Sequence, residues 1–176
     1  MAEFEIVINR ESEEWPEALE SALAATAAAV LSQCLTTGAA TVELGLTLAD
    51  DEAVQALNRD HRGQDKPTNV LSFPLVEGGG FEPEAPGAPL LLGDVVLAYQ
   101  TVAREATEQG KHLADHAVHL VVHGVLHLLG HDHGCDDEAD AMERLEAAIL
   151  CKLGIADPYS SSPAPPAQKD HDRHSQ

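Results

Sequence analysis

Leu113-Ala114-Asp115-His116-Ala117-Val118-His119-Leu120-Val121-Val122-His123-Gly124-Val125-Leu126-His127-Leu128-Leu129 is a mostly apolar run that continues into Gly130-His131-Asp132-His133. Its apolar positions spread over more than one helical face. That predicts a helix lying inside the molecule rather than on its surface. It is the central helix of the expected fold, and the other segments read as the layers around it.

Downstream, Asp136 to Leu153 forms an acidic amphipathic pattern with Met142, Leu145, Ile149 and Leu153 on one face. From Asp157 onward Pro, Ser and Ala dominate and periodicity stops. This divides the chain into a folded domain over 1–158 and a disordered tail over 159–176. Upstream, Thr101 to Gln109 reads as a helix ended by Gly110, and Leu90 to Tyr99 as a strand interrupted at Gly93. Gly78 to Pro89 is a Gly/Pro/Glu-rich excursion, expected to be a mobile hairpin connection.

Nearer the N-terminus, Phe4, Ile6 and Ile8 alternate with Glu5, Val7 and Asn9 as a first strand. Trp15 to Leu35 is an Ala/Leu-rich helix with Pro16 in its first turn and Gly38 after its end. Val42, Leu44, Leu46 and Leu48 recur at period two and mark a strand over Thr41–Leu48. Asp50 or Asp51 caps a short helix carrying Val54, Ala56 and Leu57. Residues 59–68 read as a polar loop, and Asn69 to Leu75 as a short strand. The order is strand, helix, strand, helix, two strands, three helices. The expected class is α+β: one domain, a small mixed sheet packed with five helices, and the histidine-bearing helix at the centre.

Composition narrows the function. Formal net charge is −20 and aromatics are 3% of 176 residues. So acidic a chain does not coat nucleic acid non-specifically, and it lacks the aromatics of a base-stacking platform. Any nucleic-acid role needs a local basic cleft or a partner that presents the substrate. Arg59, Arg62 and Lys66 are the clustered cations that can supply such a cleft. Three unpaired-looking cysteines (Cys34, Cys135, Cys151) and an acidic start, Met1-Ala2-Glu3-Phe4-Glu5, point to a reduced, cytoplasmic setting with no membrane association.

The histidines carry the chemistry. His123 and His127 are four apart, so a helix stacks them on one face and can offer two nitrogens to one ion. Gly130 can end the helix in the left-handed conformation, and the chain can then return His133 as a third ligand. Three imidazole nitrogens suit one tetrahedral zinc per chain with a fourth position open, the layout of a hydrolytic site. The spacing also matches the metzincin proteases, whose general base is the Glu after the first His; that position here is Gly124, which cannot take a proton. His116 and His119 can extend the same face, but read rather as surface groups or as groups standing behind the ligands. His131 and Asp132 can orient a ligand, act as base or simply build the loop. Cys135 is close enough in sequence to approach the metal, and His171 and His174 lie in the tail.

A second distinctive segment runs Leu57-Asn58-Arg59-Asp60-His61-Arg62-Gly63-Gln64-Asp65-Lys66-Pro67-Thr68-Asn69-Val70-Leu71-Ser72-Phe73-Pro74. By residue type it is either a solvated basic loop or an anion site, since Arg presents a planar fork to phosphate oxygens. With this segment the chain resembles the YbeY family of rRNA-maturation endoribonucleases. The resemblance rests on Leu57-Asn58, Arg62, Pro67-Thr68, Val70-Leu71-Ser72-Phe73-Pro74, Gly93-Asp94, and His123-Gly124-x-Leu126-His127-Leu128-x-Gly130-x-Asp132-His133. Gly154 and Asp157-Pro158-Tyr159 fit as well, so it spans roughly residues 41 to 159. Two positions depart from the family's usual residues. Asn69 stands where Asp is common, and His131 where Tyr is common.

The resemblance implies a zinc-dependent, single-strand-specific endoribonuclease acting in small-subunit rRNA 3′-end maturation and ribosome quality control. It implies zinc on His123, His127 and His133, and Arg62 as the catalytic residue near the scissile phosphate. Its partners would be rRNA, the small ribosomal subunit and ribosome-associated proteins. Two other classes compete: a metalloprotease-like hydrolase without the Glu base, and a non-catalytic, metal-dependent ribosome-assembly factor.

Overall fold

Alternation of apolar and polar residues decides which way each strand faces, and burial decides what covers it. The computed structural model describes residues 2–76, 80–131, 136–155 and 158. Among them lie four strands and five helices in the expected order: β1 (Glu3–Arg10), α1 (Leu19–Cys34), β2 (Thr41–Ala49), α2 (Asp51–Arg62), β3 (Val70–Pro74), β4 (Leu90–Ala98), α3 (Tyr99–Gln109), α4 (Leu113–Leu128) and α5 (Asp136–Lys152). They form the small mixed-sheet α+β domain that the pattern predicts.

The sheet order is β1-β2-β4-β3. β1, β2 and β4 run parallel, and β3 returns antiparallel to β4 at the edge. Parallel neighbours need crossover connections. α1 makes the first, and the stretch from α2 through β3 to residue 89 makes the second. β4 therefore sits between β2 and β3, although it follows both in the chain.

On one face of the sheet, Val42, Leu44, Leu46 and Leu48 of β2 join Val95 and Leu97 of β4 under α1 and α4. α4 places ten residues in the buried class, as its all-round apolar pattern requires. The opposite face is covered more thinly: Val54 of α2 packs with Ala49, Leu71, Val96 and Ala98. α5 lies against α4 and contributes Met142, Ile149 and Leu150 to the core.

α4 meets the sheet closely at Gly124. A Cβ there would lie 2.7 Å from Val95 Cγ1 and 3.3 Å from both Ser72 Oγ and Val70 Cγ2. Ser72 Oγ donates a 3.0 Å hydrogen bond to the Gly124 carbonyl. The missing side chain is what lets the histidine helix rest on β3 and β4.

Two boundaries differ from the sequence expectation. α1 begins at Leu19 rather than near Trp15, because Trp15 turns into the core and donates its indole N–H to the Ala49 carbonyl at 2.8 Å. α2 continues through Arg62, so residues 59–62 are helix and not loop. Its carboxylate cap Asp50 accepts from the Ala53 N–H at 2.9 Å, and Gly63 ends it at φ 71°. The excursion before β4 is tied back through Glu82, which accepts from the Gly38 N–H at 2.9 Å. Among the described residues no helix is long and apolar enough to cross a membrane.

Candidate metal centre and the cleft beside it

Two of the three predicted ligands come together as expected. His123 and His127 stack one turn apart on α4, and their Nε2 atoms approach to 3.1 Å. Two nitrogens bound to one tetrahedral zinc at about 2.0–2.1 Å would stand about 3.3 Å apart, so the pair is spaced to share an ion. His133, Asp132 and Cys135 lie outside the described residues, as do His171 and His174. Among the described residues no group of three or more His, Cys, Asp or Glu gathers as a complete ligand set. His131 is exposed, with its N–H donated to the Leu126 carbonyl at 3.0 Å.

The sequence pattern did not point to Glu146. It projects from α5 onto the histidine face and is 1% exposed. One oxygen accepts from His123 Nδ1 at 2.6 Å, and the other accepts from His119 Nε2 at 3.0 Å. A carboxylate can only accept, so the His123 proton sits on Nδ1 and the Nε2 lone pair faces His127. That is the tautomer a metal-ligating Nε2 requires. Burial pushes the His119 imidazole below its ordinary range, against the opposing pull of Glu146.

His116 completes the row. It is buried, and its Nε2–H donates to Glu105 Oε1 of α3 at 2.9 Å. Asn69 Nδ2 donates to the same oxygen at 3.0 Å. His116 and His119 are thus interior groups that hold carboxylates, not surface residues. Asn69 has a physical reason to be an amide: an Asp there would set a second negative charge against Glu105.

Burial alone would raise the Glu105 carboxyl. The hydrogen bonds from His116 and Asn69 outweigh it and leave the group below the usual carboxylate range. The sign of the pH effect follows. Just below the ordinary Glu value the unfolded chain carries a proton that the folded one does not, so stability rises with pH there. The contribution is present above the unfolded pKa and is lost as pH falls through the folded one. Glu105→Gln is therefore expected to flatten the acid limb of stability when denaturant midpoints are compared from about pH 6 to about pH 3. An unchanged acid limb would remove Glu105 from the account.

Arg62 reaches the same part of the molecule from α2. Its Nη2 donates to the Ser72 carbonyl at 3.2 Å, and Ser72 Oγ in turn bonds Gly124 between the two histidines. Arg62 also lines a pocket of about 340 Å³ with Asn58, Gln64, Lys66, Thr68 and Val70. Buried Asn58 shapes that wall by donating to the Lys66 carbonyl at 2.9 Å.

The three clustered cations are not equivalent. Arg59 turns to Asp60 at 3.3 Å and Asp65 at 3.9 Å. Among the described residues neither Arg62 nor Lys66 makes an ion pair, and both face the pocket. In a chain of net charge −20 this leaves a cleft with local positive charge.

Comparison with known proteins agrees with this architecture. A model of the family "Endoribonuclease YbeY" matches residues 7–154. The chain is similar to an "Endoribonuclease YbeY" of Paramagnetospirillum magneticum, 54% identical over 157 residues covering 88% of this chain and 95% of the relative. It is similar to another of the same name from Rhodospirillum rubrum, 55% identical over 154 residues covering 88% of this chain and 76% of that one. The solution structure of TM1509 from Thermotoga maritima shares its fold at TM-score 0.55 and 22% identity, covering 91% of this chain and 99% of that one. With His123 and His127 of the histidine signature on a mostly buried helix and the family's residues matched from the first strand to the end of α5, this chain belongs to the YbeY endoribonuclease family.

Proposed function

We propose that this protein is a zinc-dependent endoribonuclease that cuts single-stranded rRNA in maturing the small-subunit 3′ end and in ribosome quality control. The observation that carries the proposal is the His123–His127 pair, spaced for one ion and backed by a buried carboxylate, beside a cleft lined by Arg62 and Lys66, which make no ion pair among the described residues. His123 and His127, with His133, would hold one zinc per chain. When bound, the ion supplies positive charge that acidifies a water molecule and polarises a phosphoryl group.

The chain's own groups do the rest. The Arg62 guanidinium faces the cleft and can neutralise charge growing on phosphate oxygens. Lys66 adds a second cation, and Thr68 and Gln64 add hydrogen-bond partners for the backbone of the strand. The −20 charge keeps free RNA at a distance, which suits a substrate presented on the small subunit or by a ribosome-associated protein. This is a cytoplasmic role.

A metalloprotease would need a base after His123. Gly124 offers none, and a Cβ there would already crowd Val95, Ser72 and Val70 of the sheet.

The test is cleavage of a labelled rRNA precursor spanning the small-subunit 3′ end, with duplex RNA as control. His123→Ala should abolish cutting. Arg62→Ala should lower kcat/KM by about 10²–10³-fold. Arg59→Ala, which breaks only exposed ion pairs, should change it by less than about fivefold. Equal losses at Arg59 and Arg62 would reduce the cleft to diffuse charge. Normal rRNA processing in cells carrying a folded His123→Ala protein would favour the non-catalytic assembly factor.

A further inference from the structure

Among the described residues Glu146 is the only acidic side chain buried to 1% exposure. It occupies an apolar stripe of α5, between Met142 and Ile149, where leucine or isoleucine would pack without desolvation cost. A charge in such a place needs a compensating reason. The structure gives one: both oxygens are taken by imidazole nitrogens of α4, His123 Nδ1 at 2.6 Å and His119 Nε2 at 3.0 Å.

We infer that Glu146 is the positioning residue of the metal site, and that through it the docking of α5 and the binding of metal reinforce one another. This rests on the assignment of His123 and His127 as metal ligands. Three physical steps lead to it. By accepting the Nδ1 proton, Glu146 selects the tautomer of His123 whose Nε2 lone pair points toward His127, where the ion would bind. By holding a negative charge against the ring, it makes that nitrogen a stronger donor. By spanning two histidines one helical turn apart, it fixes the ring plane, because neither oxygen can rotate without breaking the other bond.

His119 is then an anchor and not a ligand. It secures the far oxygen so that the near one stays aimed at His123. The cation in turn offsets the buried carboxylate, so metal favours the state in which α5 is docked. Linkage makes this reciprocal: whatever loosens α5 weakens metal binding, and whatever removes metal loosens α5.

The experiment is a zinc titration of metal-stripped protein against a chromophoric chelator, with the fold monitored by circular dichroism. Glu146→Gln keeps size and buried shape while removing the charge. It is expected to fold and to lose about 10–100-fold in zinc affinity. Undiminished affinity in a folded Glu146→Gln would overturn the inference. Should that variant fail to fold, His119→Asn carries the test. It leaves the Glu146–His123 bond but removes the anchor, so a smaller loss of affinity is expected and no loss would overturn.

Hydrogen exchange on the unaltered protein gives an independent reading. Zinc should slow exchange of amides in α5 as well as α4, and protection confined to α4 would refute the coupling. His127→Ala separates the two levels of argument. If it loses zinc while Glu146→Gln does not, only the Glu146 role falls. If His127→Ala retains zinc, the metal assignment falls and this inference with it.

Discussion

His127→Ala is expected to abolish the proposed zinc binding and the ribonuclease activity together, reducing cleavage to background. The geometry makes the loss complete rather than partial. His127 Nε2 stands 3.1 Å from His123 Nε2, and alanine removes one of the two nitrogens that meet there. Metal content measured by atomic emission and cleavage of the rRNA precursor should fall in step. The effect should also appear without RNA. Zinc at 100 times its dissociation constant stabilises a folded site by about 2.7 kcal/mol, so the melting temperature of the unaltered protein should rise with zinc. The variant's should not move. His61, exposed on α2, provides the control: His61→Ala should bind zinc and respond to it as before. Full cleavage by metal-free His127→Ala would end the metal-dependent mechanism.

The parts of this site that were legible in the sequence are those that lie on one element. His123 and His127 are four apart, and helical geometry alone stacks them. Period-two alternation exposed the inner faces of β1 and β2 for the same reason. What crosses between elements was not legible. The insertion of β4 between β2 and β3 leaves no mark in the pattern, since alternation reports which face is buried and not which strand is the neighbour. Residues 59–62 looked like loop because they are polar, yet an exposed last turn before Gly63 is polar by nature. Trp15 looked helical by its surroundings, but its indole N–H found a partner in the Ala49 carbonyl, a bond no local rule supplies.

Glu146 lies between these cases. Its partners on α4 could not be read from spacing, but its anomaly could. Met142, Ile149 and Leu150 are the apolar members of the buried stripe of α5, and position 146 falls on that stripe, four after Met142 and three before Ile149. An acid at an apolar register is a local rule broken, and rules broken at buried positions tend to mark chemistry. Asn69 carries a similar signal as a departure from the family's usual acid. Its meaning is physical through Glu105, whose Oε1 accepts from both Asn69 and His116.

Gly124 is where fold and chemistry constrain one another most tightly, and substitutions there should be severe. The smallest change, Gly124→Ala, has two opposed terms. Alanine favours the helix by about 1 kcal/mol over glycine. Its Cβ would sit 2.7 Å from Val95 Cγ1, a fully buried, β-branched side chain with little freedom to move. Forcing an extra carbon into a packed core costs about 1–3 kcal/mol, so a net loss up to about 2 kcal/mol is expected in denaturant unfolding. Gly124→Glu restores the residue that a metzincin would carry at this position, and it should fail completely. The carboxylate would be driven between α4 and the sheet, toward Val95, Val70 and Ser72. An unpaired buried charge adds several kcal/mol to the steric cost, enough to unfold an ordinary domain. Lifting α4 off the sheet would also break the Ser72–Gly124 bond that joins the Arg62 side of the cleft to the histidine helix. The measurements are a denaturation curve and a peptidase assay on whatever folded protein survives. A stable Gly124→Glu protein that cleaves peptides would show that the close contact between α4 and the sheet is not what holds this site in its form.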